Sequence, residues 1–267
     1  MIHNVLTIAG TDPSGGAGIS ADLKTFSALG VYGTAVITAV VAQNTRGVEA
    51  VHQLSGELVT QQLDALLADV RIDAVKIGML GTAEVVRAVA EALERHAPPY
   101  VVLDPVMVAK SGDRLLSGDA VQALREELLP RCDLITPNLP EAADLLHDDE
   151  AGDEQGMLDQ ARRLAALTPG VLLKGGHLRG VDSVDLLLIE GRHTRLAAPR
   201  IATTSTHGTG CTLSAAIAAL RPQRPDWTSA VTDAKDYVTA AIGAADRLQV
   251  GSGHGPIHHF HAAWPVG

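Results

Sequence analysis

A chain of 267 residues, 46% of them hydrophobic, carries enough apolar material for one large core, which excludes a disordered polypeptide. Its formal charge of −10 excludes nucleic acid as a main partner, because a phosphate backbone needs a basic face, yet leaves room for a local nucleotide site built from backbone amides. Two cysteines make no disulfide framework, and the start Met1-Ile-His-Asn-Val shows neither a basic leader nor a long apolar run, so a cytoplasmic protein without a membrane span is expected.

Residues 5–9 read as a short apolar strand, 10–18 as a Gly/Ser/Pro loop and 19–29 as a helix. The loop contains Gly16-Ala-Gly-Ile-Ser-Ala21, which fits a dinucleotide-binding fingerprint. That reading fails on spacing: Gly16 lies too far beyond Ala9, and the next strand leads to Gln43 in place of an acidic ribose ligand. A P-loop fails too, since no Gly-Lys-Ser/Thr follows the glycines. Residues 34–41 are β-branched and apolar and predict one strand, ending at Ala42-Gln43-Asn44-Thr45. A helix is expected over 57–70 and a buried strand over 74–77, ending at Gly78-Met79. Thr82 caps a helix that turns Val85, Val86, Val89 and Leu93 inward. Residues 100–103 form a strand with Asp104-Pro105 at its carboxyl end; 110–118 is a polar, mobile loop and 119–129 a helix. A strand over 134–136 runs into Pro137-Asn138, which opens a helix with Pro140 near its first turn. The acidic run 148–156 reads as a solvated connector in preference to a metal site. Then come a helix over 157–167, a strand over 171–174 that enters Gly175-Gly176, a hairpin of 183–190 and 193–198 turning at Gly191, and a last helix over 229–248.

Alternating strands and helices predict one α/β domain over residues 1–267: a mostly parallel central sheet with helices on both faces, in three layers. Gly10, Gln43, Met79, Asp104, Asn138 and Lys174 all fall just after expected strands, where ligands bind in such sheets. Thr203-Thr-Ser-Thr-His-Gly-Thr-Gly-Cys-Thr-Leu-Ser-Ala-Ala-Ile-Ala-Ala-Leu220 reads as a tight glycine loop entering a helix. The first amides of a helix lack internal partners and sit at its positive end, so the stretch suits an anion or the charge of phosphoryl transfer. A plain loop before a buried helix, with Cys211 as an inert core thiol, is the alternative.

Thr206-His-Gly-Thr-Gly-Cys-Thr resembles the anion-hole motif of the ribokinase superfamily, and more narrowly that of the bacterial hydroxymethylpyrimidine/phosphomethylpyrimidine kinases of thiamin biosynthesis. Ala9-Gly-Thr-Asp-Pro-Ser-Gly-Gly-Ala-Gly-Ile19, Lys76-Ile-Gly-Met-Leu80, Val102-Leu-Asp-Pro-Val-Met107, Thr136-Pro-Asn-Leu-Pro-Glu-Ala142, Lys174-Gly-Gly-His177 and His258-His-Phe-His261 extend the likeness nearly end to end. The resemblance implies a ribokinase-like fold and two ATP-dependent steps: phosphorylation of 4-amino-5-hydroxymethyl-2-methylpyrimidine (HMP), then of HMP phosphate. The sister activity, a pyridoxal or pyridoxine kinase, is the nearest alternative, and a non-catalytic precursor-binding protein is a more distant one. Sugar kinases of the superfamily usually carry Asp where this chain has Cys211.

The resemblance makes Cys211 the base that takes the acceptor's proton; a helix N-terminus favours a thiolate over the ordinary thiol pKa of about 8.5. Gly208, Thr209, Gly210 and Cys211 would offer amides to the transferring group. Asp104 and Glu141, the latter in an Asn138-Leu-Pro-Glu motif, are expected to hold Mg²⁺ directly or through water, with a turn and a helix cap as their alternative uses. Lys174, Asn138 and Thr206 are expected around the ATP phosphates, although by itself Lys174 reads equally as a surface charge. Gln43 can donate to and accept from an aminopyrimidine edge. Met79 and Val106 would wall the ring, Gly10 and Ala17 would let it approach backbone, and Asp22 would either bond the acceptor hydroxyl or lie solvated. Asp12 reads as an Asx-turn residue, His207 as shaping the anion loop, and the terminal histidines as non-metal. By resemblance the protein is a homodimer.

Overall fold

The computed structural model describes residues 1–107 and 116–265. The chain begins with β1 (Asn4–Ala9), α1 (Gly18–Ala28) and β2 (Tyr32–Ile37), then makes a two-stranded excursion, β3 (Ala39–Asn44) and β4 (Gly47–Gln53). It continues through α2 (Gly56–Leu67), β5 (Ala74–Ile77), α3 (Ala83–His96), β6 (Val101–Leu103), α4 (Gly118–Ala123), β7 (Leu134–Ile135), α5 (Leu139–Leu146), α6 (Glu154–Leu164) and β8 (Gly170–Lys174). The hairpin β9 (Asp182–Ile189) and β10 (Arg192–Pro199) precedes α7 (Thr209–Leu220) and α8 (Trp227–Gly243).

The main sheet is ordered β10-β9-β8-β7-β6-β5-β1-β2. It is parallel from β8 to β2 and antiparallel through the hairpin. Strand periodicity sends alternate residues to opposite faces. Leu6, Ile8, Val75, Ile77 and Leu103 pack with α2 to α6, while Val5, Ala74 and Val102 pack with α1, α7 and α8. The expected three-layer α/β/α architecture is therefore the one adopted. With so few aromatics, helices are brought close by small side chains: Ala215, Ala216, Ala218 and Ala219 of α7 are all fully buried. The hairpin turns where expected, Glu190 and Gly191 taking φ of 51° and 72°, as a two-residue turn between right-twisted strands requires.

Three expectations are corrected. The strand over 34–41 is broken at Thr38, whose hydroxyl donates to the Met79 carbonyl at 2.7 Å; from there the chain leaves the sheet and forms the β3–β4 ribbon, whose second strand was not expected. The helix over 119–129 is α-helical only to Ala123; a π turn over Leu124–Leu128 and a 3₁₀ turn over Leu129–Arg131 follow, the latter holding Pro130, which cannot continue an α-helix. The last helix starts earlier, capped by the Asp226 carboxylate, and ends at Gly243. The polar loop expected over 110–118 lies, up to residue 115, outside the described residues. Among the described residues no helix is long and apolar enough to cross a membrane.

Candidate active site

A cleft of about 1440 Å³ opens over the carboxyl ends of the strands. Ligand pockets commonly span about 300–1,000 Å³, so there is room for two substrates. Its middle is built by α7. Gly208 precedes this helix at φ 77°, and a Cβ there would lie 1.7 Å from the Gly16 carbonyl oxygen, so only glycine lets the anion loop press onto the Gly10–Gly18 loop. The first turn then faces two charged groups: a Cβ on Gly210 would sit 3.3 Å from Lys174 Nζ and 3.4 Å from Asp104 Oδ2. Lys174 donates to Asp104 Oδ1 at 2.9 Å and lies 3.9 Å from Glu141 Oε2. Lys174 is thus an interior cation, not a surface charge; against burial, Asp104 and Glu141 hold its pKa above the ordinary value. Glu141 closes a capping box with Asn138, each side chain accepting the other's backbone N–H at 2.8 and 2.9 Å. Burial nonetheless pushes the Glu141 carboxyl up to about 7 against the pull of Lys174. A helix cap and a strand-end carboxylate around one ammonium also form a donor set that suits Mg²⁺, which takes one or two carboxylates and keeps its waters.

Cys211 lies in the first turn of α7, and Gly18 N–H points at its sulfur. Burial pushes the thiol up to about 11, against the nearby Lys76 ammonium and the Gly18 amide. The thiolate favoured by helix position alone is therefore corrected: at neutral pH the resting group is a thiol. Lys76 and Asp22 are both fully buried and pair at 2.8 Å, with the Thr7 hydroxyl donating to the same carboxylate oxygen at 2.6 Å. Asp22 holds the Lys76 ammonium up at about 12 despite its burial. The substrate contact expected of Asp22 is corrected as well: it is neither solvated nor on the cleft wall, because α1 buries it against β1 and β5.

Ala17, Gln43, Val106, Asp104, Asn138, Glu141, Lys174, Thr206 and the Gly208–Cys211 turn all border the cleft. Gly10 and Met79 lie off its wall and against each other; a Cβ on Gly10 would meet the Met79 methyl at 2.6 Å. Gln43 follows a bulge in β3, which turns its side chain toward His207. Asp12 makes the expected Asx turn to Ser14 and also binds His207 Nε2 at 2.8 Å. Burial raises its pKa, but the bonds from His207 and Ser14 outweigh that and hold it down at about 2.

Sequence reading missed the other wing of the cleft, where Leu213, Val238, Ile242, Ala198 and Ile201 make an apolar wall beyond Lys174. It is joined to the sheet by Asp185, which accepts from Gly175 N–H at 3.1 Å and Lys235 at 2.6 Å. Lys235, nearly buried in a helix of small apolar residues, was the available signal. The β3–β4 ribbon was missed too; its Arg46 and Val48 reach the cleft. In the acidic run 148–156, Asp153 caps α6 and Asp148 pairs with Arg163.

The family model of phosphomethylpyrimidine kinase matches residues 12–258. The chain belongs to that family. It is 59% identical over 262 residues to the hydroxymethylpyrimidine/phosphomethylpyrimidine kinase of Escherichia coli strain K12, covering 98% of each chain. Its fold is similar to that of an ADP complex of Bacillus subtilis pyridoxal kinase, with TM-score 0.90, 37% identity and coverage of 97% of this chain and 98% of that one. It is also similar to phosphomethylpyrimidine kinase from Clostridium difficile 630, with TM-score 0.80, 41% identity and coverage of 90% and 99%.

Proposed function

We propose that the protein transfers the γ-phosphoryl group of ATP to the hydroxymethyl oxygen of HMP, and then phosphorylates HMP phosphate to the diphosphate, in the pyrimidine branch of thiamin biosynthesis. One observation carries this reading: the first turn of α7, bearing Cys211, meets Lys174 and Asp104 in the same cleft that Gln43 borders. The cleft has two wings. The Ala17, Gln43 and Val106 end takes the aminopyrimidine, and the Leu213, Val238 and Ile242 end takes the nucleotide base.

In the first transfer the hydroxymethyl oxygen bonds to the γ-phosphorus as the bond to the β–γ bridging oxygen breaks, leaving ADP. Cys211 accepts the hydroxyl proton in its ionised form, the minor one at neutral pH, and the amides of Gly208 to Cys211 receive the charge on the moving group. Lys174 neutralises the phosphates, with Asn138 and Thr206 beside it. Asp104 and Glu141 would hold Mg²⁺, which neutralises phosphate charge when bound. The working unit in this reading is a cytoplasmic homodimer. β2 is one of the two edge strands of the main sheet and exposes Tyr32, which offers a surface for a second copy.

The test is incubation with Mg²⁺-ATP and either HMP or pyridoxal, with products resolved by mass. Mono- and then diphosphorylated pyrimidine supports the reading. Phosphorylation of pyridoxal alone would move the protein to the sister activity, and binding without any product would make it a carrier.

A further inference from the structure

We propose that Asp12 and His207 form a relay that fixes the direction of the Gln43 amide, and through it the edge of the substrate ring that the cleft accepts. The inference rests on the aminopyrimidine reading above. Asp12 is buried and surrounded by donors. Its Oδ1 accepts from the Ser14 amide at 2.8 Å and the Ser14 hydroxyl at 2.7 Å. Its Oδ2 accepts from the amides of Gly16 at 3.2 Å and Ala17 at 2.8 Å, and stands 2.8 Å from His207 Nε2. An ionised carboxylate only accepts, so Nε2 of His207 must carry a proton and donate it.

The same Nε2 lies 3.3 Å from the side-chain nitrogen position of Gln43. A nitrogen there would set two donors against each other. The two ends of a primary amide have the same shape, so a half turn resolves the conflict. It places Oε1 of Gln43 beside the His207 N–H, as the longer branch of a three-centre bond whose shorter branch goes to Asp12, and turns the NH₂ away from it. His207 is held from its backbone and along one face of its ring. Its backbone N–H donates to the Gly255 carbonyl at 3.0 Å, and its ring lies so close to Gly16 that a Cβ there would meet Cδ2 at 2.4 Å. Gly16 is thus required for a flat seat under the imidazole, and the β3 bulge delivers Gln43 to it.

A pinned amide shows the cleft one order of groups: an acceptor near His207, then a donor. The complementary ring edge carries an amine beside an unprotonated ring nitrogen. A 4-aminopyrimidine has that order, whereas a 4-oxo pyrimidine protonated on its neighbouring nitrogen has the reverse. An unpinned Gln would flip and serve either ring; a pinned one rejects the oxo ring, since a mismatched buried polar pair costs a factor of roughly ten or more. His207 therefore acts as a positioning residue for Gln43.

The experiment compares 5-hydroxymethyl-2-methylpyrimidines bearing 4-amino or 4-oxo groups, by calorimetric binding and by KM and kcat, in the native chain and in His207→Phe. The native chain should prefer the amino ring by roughly tenfold or more. His207→Phe keeps a ring over Gly16 but has no N–H, and the preference should fall to within about threefold. The change should lie mainly in KM, with the melting temperature showing a folded protein. His207→Gln, which retains an N–H, should restore the preference. ¹⁵N NMR of the native imidazole should show a proton on Nε2; a ring with bare Nε2 overturns the relay without any variant. An unchanged preference in folded His207→Phe also overturns the relay alone. Failure of the native chain to bind either ring overturns the aminopyrimidine reading and this proposal with it.

Discussion

Burial sets the chemistry of Cys211. Its thiol is pushed up to about 11, so a base that works as thiolate is scarce at neutral pH, and turnover should climb with pH through 7 to 9. Cys211→Ser should lose most turnover while staying folded. Cys211→Asp supplies a base that is ionised earlier, and the rising limb should flatten; a pH–rate profile on the three proteins checks this. Lys76 is a second case. Removing one partner from a buried ion pair costs about 3–5 kcal/mol, because the other charge is left alone. Lys76→Met should lower the urea midpoint accordingly, and Lys76→Met with Asp22→Leu should recover part of it. Asp12 gives a sign that is easily measured. Its folded pKa, about 2, lies below the ordinary 3.8. The stability it contributes is therefore fully present above about pH 4 and is lost as pH falls toward 2. Asp12→Asn should remove that part of the acid-unfolding slope.

Gly208 shows what an element boundary demands. The helix α7 starts where it does because this residue holds a positive φ and lies against the Gly16 carbonyl. Gly208→Ala should cost about 2 kcal/mol or more in stability and lose transfer activity, as read by thermal melts and product formation. Elements with a local signal were legible in the sequence: Thr82 accepts from Val85 N–H at 3.3 Å as the cap of α3, and Gly191 turns the hairpin. The β3–β4 ribbon was not: β3 continues the apolar run of β2 without a local break, and β4 mixes Glu49, His52 and Gln53 with small apolar residues. What divides β2 from β3 is the long-range bond from Thr38 to Met79, and no window of sequence contains both ends. The end of α4 is local by contrast: the helix passes at Ala123 into a π turn and then a 3₁₀ turn that holds Pro130.

Across the whole molecule the cleft joins groups drawn from both halves of the chain, so ligands should stabilise the fold as one unit. Free ADP at a hundred times its Kd should add about 2.7 kcal/mol, seen as a rise in a single calorimetric transition without a second one appearing. The sequence by itself determined the α/β class, the strand-end position of Asp104, Asn138 and Lys174, and the glycine-cysteine turn. Each of these is written in nearest-neighbour geometry: strand period, cap chemistry, or a glycine where a side chain would clash. Only the tertiary structure decided which charged groups are buried and with what they pair. It buried Asp22 against Lys76, raised the Cys211 thiol, and brought Asp12 and His207, 195 residues apart, within hydrogen-bond distance. Desolvation and long-range pairing depend on what surrounds a group in space, and that surrounding is assembled only when the sheet and its two helical layers close.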